Sequence, residues 1–182
     1  MPNKETTNED VALHNAVLTG HTESVRALHR AALAGNAEAV AGVLDLGVDV
    51  LSADTLGYTA LHKAAMAGSA RAIEALVIAG ADVSAVDSEG RTALYEAARA
   101  GHADAVRALV AAGAEVRSAD SKGRTALHVA KNADVVTALL AGGADVTSVD
   151  SRGWTAESIA RRTGRQQVAE AIRAATGRHR QR

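Results

Sequence analysis

The sequence contains no cysteine and no phenylalanine, one proline, one tryptophan and two tyrosines among its 182 residues. Without cysteine there is no disulfide, no thiolate-held zinc and no thiol nucleophile. No apolar run approaches the roughly 18–20 residues needed to span a bilayer. The opening residues, MPNKETTNED, lack the apolar core of a signal peptide, so the expectation is a soluble, cytoplasmic protein. Charge of one sign is also missing: 20 Lys+Arg stand against 21 Asp+Glu, a net of -1. That balance, with a hydrophobicity that is not low, argues against a disordered chain. Aromatics make up only 2% of the residues, so the bulk that normally fills a globular core is absent.

Alanine fills the gap, with 43 residues. Small side chains suit thin layers of closely packed helices. Arginine outnumbers lysine 16 to 4, which together with the alanine excess points to GC-rich coding and a bacterial source.

A repeat organises most of the chain. GYTALHKAAMAG begins at Gly57, GRTALYEAARAG at Gly90, GRTALHVAKNAD at Gly123 and GWTAESIARRTG at Gly153, spaced by 33, 33 and 30 residues. AGADV, AGAEV and GGADV follow the first three, ending at Val83, Val116 and Val146. DTLG, DSEG, DSKG and DSRG precede each unit, at 54–57, 87–90, 120–123 and 150–153. Each unit reads as turn, short helix, turn, second helix, loop. Thr59, Thr92, Thr125 and Thr155 are N-cap candidates. Gly68 and Gly101 stop the first helix, near 60–67 in the second unit; Gly80, Gly113 and Gly143 stop the second, near 70–79 or 103–112. Ile73, Leu76 and Val77, repeated as Val106, Leu109 and Val110, share one helix face. One unit cannot bury that face; a stack of units can.

These residues carry a resemblance to the ankyrin repeat family: the GxTALH segments, the stretch 98–116 and the 33-residue period. The resemblance covers about 11–175. It implies an all-α solenoid of stacked helix-turn-helix units, curved, with hairpin turns projecting at one edge. It also implies protein–protein recognition through the turn tips and the first-helix face. Where the family often has proline after the capping threonine, this chain has Ala60, Ala93, Ala126 and Ala156. The unit from Gly123 is three residues short near Lys131–Ala133, which predicts a clipped first helix. At the N-terminus, ALHNAVLTGH and ALHRAALAGN lie 15 residues apart, giving two overlapping registers. The expected organisation is a flexible segment 1–10, an N-terminal cap 11–23, units 24–56, 57–89, 90–122 and 123–152, a C-terminal cap 153–175 and a basic tail 176–182.

Candidate chemistry is sparse. His62 and His128, with Tyr95 at the matching place and His14 and His29 upstream, recur once per layer. A catalytic group is needed once, so each is expected to bond backbone near its own turn and to steady the next. Asp54, Asp87, Asp120 and Asp150 are expected to bond turn amides rather than calcium. No HExxH, GxSxG or phosphate-cradling loop occurs. The expectation is a non-enzyme with no cofactor and no metal.

The positions that vary between units carry the binding expectation. On the tips they are Tyr58; Glu89 and Arg91; Lys122 and Arg124; Arg152 and Trp154. On the first-helix ends they are Leu33, Met66, Arg99, Asn132 and Arg162. The gradient runs from apolar to basic, which predicts a monomeric module whose protein partner offers acidic groups. Residues 151–182 carry eight arginines against Glu157 and Glu170, but no aromatic stacking platform accompanies them, so nucleic acid is not the expected partner. The alternative is a small-molecule binder or enzyme using a groove beside the short unit, at His128 and Lys131.

Overall fold

The structure, a computed structural model, describes residues 8–179. The expectations for 1–7 and 180–182 lie outside the described residues. Among the described residues ten helices follow in order: α1 Asn8–Leu33, α2 Ala37–Leu44, α3 Ala60–Ala67, α4 Ala70–Ile78, α5 Ala93–Ala100, α6 Ala103–Ala111, α7 Ala126–Val129, α8 Ala133–Ala141, α9 Ala156–Arg162 and α10 Gln166–His179. Two layers result. The first helices, α1, α3, α5, α7 and α9, pack in sequence on one another. The second helices, α2, α4, α6, α8 and α10, do the same behind them. Among the described residues no helix is long and apolar enough to cross a membrane.

Alanine sets the spacing. Ala64, Ala65, Ala97 and Ala98 are wholly buried, and so are Ile73, Leu76, Val106 and Leu109 of the facing second helices. Leu61, Leu94 and Leu127 occupy the same place in three successive first helices and are almost completely buried. A leucine removed from water in this way contributes about 1.5–3 kcal/mol, so one leucine per layer joins each unit to the next.

Helix ends follow from local chemistry. Thr59, Thr92, Thr125 and Thr155 all stand at N-cap positions in extended conformation. Gly68 and Gly101 close the first helices in the left-handed conformation. In two of the second helices, α4 and α8, the side chain of the preceding residue caps the helix and also reaches back one unit. The Ser69 hydroxyl accepts from the Ala72 amide and donates to the Gly35 carbonyl. The Asn132 side chain accepts from the Val135 amide at 2.9 Å and donates to the Gly101 carbonyl at 2.8 Å.

Asn132 therefore corrects one expectation. The three-residue deletion falls before it, so it matches Ser69 and not Met66. It caps a second helix instead of standing on the exposed end of a first one. The clipped first helix itself is present as expected, since α7 has four residues.

Two boundary expectations also change. The cap at 11–23 and the start of the unit at 24–56 form one continuous helix, α1. Gly20 is the weakest link there, but an interior glycine costs only about 1 kcal/mol, and Gly20 does not adopt positive φ. With no proline and no left-handed glycine, nothing breaks the helix between the two registers. At the other end α10 runs to His179. Part of the expected tail thus continues the cap, with the Thr176 hydroxyl bonded to the Ile172 carbonyl at 3.1 Å.

Candidate functional site

The turns are built first by aspartate. One carboxylate oxygen of Asp87 accepts from the amides of Glu89 and Arg91, both at 2.9 Å. Asp54, Asp120 and Asp150 do the same for Leu56 and Tyr58, Lys122 and Arg124, and Arg152 and Trp154. The aspartate expectation is met in all four turns. A short-range bridge closes each tip, as between Val86 and Thr92. Burial pushes the Asp87 and Asp120 carboxyls upward, but the amide and guanidinium donors outweigh it and hold both below the ordinary aspartate value.

The tips are then tied to one another by main chain. The Ser88 amide donates to the Leu56 carbonyl at 2.9 Å, Ser121 to Glu89 at 2.8 Å and Ser151 to Lys122 at 2.9 Å. Behind this ladder runs a second one of imidazoles. His62 Nδ1 accepts from the Thr59 amide, so its Nε2 carries the proton and donates to the Arg91 carbonyl at 2.9 Å. His128 repeats this with Thr125 and the Trp154 carbonyl, at 3.2 Å. Burial is the main cause that lowers the pKa of both imidazoles. Neither presents a nitrogen to a ligand.

The charged tip residues divide into two groups. Arg91 is committed internally: it binds Asp87 at 2.7 Å, lies 3.3 Å from Glu96 and donates to the Tyr58 hydroxyl. Tyr58 also takes Lys63 over its ring, 4.3 Å from the centroid, and meets His62 edge-on. Arg124 is held by Asp120 at 2.6 Å, and the Tyr95 hydroxyl donates to the same carboxylate. These three candidates, Tyr58, Arg91 and Arg124, brace the turns. Glu89 and Lys122 are exposed on adjacent tips, Met66 is half-buried, and Arg99 is 48% exposed while paired to Glu96. Arg152 is 71% exposed, with only a long 3.3 Å contact to Asp150. Trp154 lies half-buried under the Arg162 guanidinium, 4.2 Å from its ring centroid.

Glu96 is the residue that sequence reasoning missed. Its side chain is fully buried between Arg91 and Arg99, and its Oε1 has no hydrogen-bond donor. The available signal was a lone carboxylate where the other units carry Lys63, Val129 and Ile159.

The basic C-terminal stretch is largely engaged as well. Arg161 and Arg173 share Glu157, and Arg165 donates to the carbonyls of His128 and Ala130. Among the described residues no group of three or more potential ligands could hold a metal ion. A groove site beside the short unit would need His128 and Lys131 on one cavity. The cavity at Lys131, about 230 Å³, is lined by Asn132, Arg165 and Gln166 and does not include His128. A cavity of about 960 Å³ lies between α8 and α10 and touches none of the candidate residues.

Two family models match the chain. Ankyrin repeats in three copies cover residues 28–120, and a further ankyrin repeat covers 122–151. No curated protein matches it. With more than half of its length matched, and with the stacked helix pairs and bridged turns described above, the chain belongs to the ankyrin repeat family.

Proposed function

We propose that this chain is a non-catalytic interaction module that binds a protein partner along its turn tips and first-helix face, with the partner presenting acidic groups. It does so as a monomer in a bacterial cytoplasm, without metal or cofactor. One observation carries the reading. The side chains that differ between units, Glu89, Lys122 and Arg152, extend from tips whose backbone is held by the inter-turn ladder. A face fixed in this way loses little ordering entropy when a partner docks. Tyr58, Arg91 and Arg124 fix the tips in place, while the exposed residues between them make the contacts.

The test is capture of a partner from lysate of the source organism on immobilised chain. A variant carrying Lys122→Glu and Arg152→Glu should release the partner while its melting curve overlays that of the parent. A control carrying Glu74→Lys and Arg107→Glu, on the second-helix layer, should retain it. Loss with the control and retention with the tip variant would overturn the assignment of the face.

A further inference from the structure

The two halves of the tip edge differ in how far their charges are neutralised. Three cations of the first half have a close carboxylate, Lys63 with Asp54 at 2.8 Å, Arg91 with Asp87 at 2.7 Å and Arg99 with Glu96 at 2.5 Å, as Arg124 of the second half has Asp120 at 2.6 Å. In the second half, among the described residues, Lys122 and Arg162 form no ion pair. Arg152 keeps only its long contact to Asp150. Lys122 and Arg152 stand on adjacent tips, which are joined by the Ser151 amide to the Lys122 carbonyl.

At that end a cavity of about 210 Å³ is lined by Arg152, Trp154, Ile159, Arg162 and Thr163. Its chemistry is specific. Two arginines line it, and a tryptophan and an isoleucine give it an apolar wall. A carboxylate on a short methylene stem fits both features, since guanidinium binds carboxylate with charge-assisted hydrogen bonds and the stem packs on the ring.

We infer that the pocket beside Trp154 receives a glutamate side chain from an acidic segment of a partner protein, and that the segment's further carboxylates lie along Arg152 and Lys122. This rests on the interaction-module reading and places its energetic centre at the C-terminal end of the face, away from Tyr58 and Arg91. Arg162 is already stacked on the indole, so the carboxylate meets a cation whose position is set. Attraction at such an exposed site weakens as salt rises.

Trp154 is the only tryptophan, so its emission reports on this pocket alone. The experiment titrates the full chain with acetylated hexaglutamate and follows that emission, with hexaglutamine as the neutral probe. The expected result is a saturable change with hexaglutamate and none with hexaglutamine. R152Q/R162Q should weaken binding by about tenfold or more, and R107Q should stay within about twofold of the parent. Circular dichroism of the variants establishes that each is folded. Equal affinity in parent and R152Q/R162Q overturns the inference. So does an oligodeoxythymidylate that changes the emission at comparable affinity, since the site would then read phosphate. If the emission stays silent while the tip variant still loses its captured partner, the inference fails alone and the module reading stands.

Discussion

Arg165, at the N-terminal edge of α10, donates from its two terminal nitrogens to the carbonyls of Ala130 and His128, the latter at 3.2 Å. Those carbonyls lie at the end of the clipped helix α7, where the missing residues leave acceptors without their usual partners. The C-terminal cap thus supplies from outside what the short unit cannot supply for itself.

Arg165→Ala should therefore destabilise the chain by about 1–3 kcal/mol. The loss should concentrate in the short unit. Urea unfolding measures the total, and hydrogen exchange should show faster exchange at 126–132 with little change at 60–78. A uniform rise in exchange across the stack would show that Arg165 is not specific to that unit.

Stability should fall in two separate windows as pH decreases. His29, His62 and His128 have pKa values lowered below 6.5, with burial the largest cause. The unfolded state then holds more protons than the folded one below about 6.5, so stability rises with pH there and is lost on acidification. The turn carboxylates Asp87 and Asp120 lie below 3.8, and their contribution goes only at more acidic pH. His62→Gln keeps a side chain suited to the capping box and removes one titration. Its urea midpoint should vary less between pH 7 and 5 than that of the parent.

Glu96→Ala should cost about 1–3 kcal/mol, because it strips Arg91 and Arg99 of a buried counter-charge. Arg99→Ala, acting on a half-exposed side chain, should cost under about 1 kcal/mol. A double-mutant cycle should yield a coupling of the same sign as the Glu96 loss. If the two substitutions add independently, Glu96 is held by Arg91 alone.

Gly57 and Gly80 share positive φ, at 82° and 90°, but differ in surroundings. A Cβ at Gly57 would lie 2.9 Å from the Asp87 Cα in the next turn, whereas nothing lies within 4 Å at Gly80. Gly80→Ala should cost about 1–2 kcal/mol from the left-handed conformation alone. Gly57→Ala should exceed it by a margin that measures how closely the turns approach. Equal melting temperatures for the two variants would rule out that contact.

Most of the architecture could be read in the sequence, because each repeated motif has its own local cause. GxTALH carries a cap and a buried leucine, and AGADV carries a left-handed glycine. The N-terminal boundary could not be read, because two copies of ALH fit one helix as well as two. Asn132 could not be placed for a different reason: counting nine residues from Gly123, as from Gly57 to Met66, carries the register of the full units across a deletion that lies before it. At the site, exposure could be inferred for Glu89, Lys122 and Arg152. The commitment of Arg91 could not, because its partners Tyr58 and Glu96 come from a neighbouring turn and from a helix position that no motif marks.

The main-chain ladder across the tips has an evolutionary consequence. Amides and carbonyls make the links from Leu56 to Ser88, Glu89 to Ser121 and Lys122 to Ser151, and none needs a particular side chain. A mutation at Glu89 or Lys122 changes what the edge displays without changing where it is displayed. Selection can therefore retarget such a chain to a new partner one tip at a time, each step tested on an unchanged scaffold.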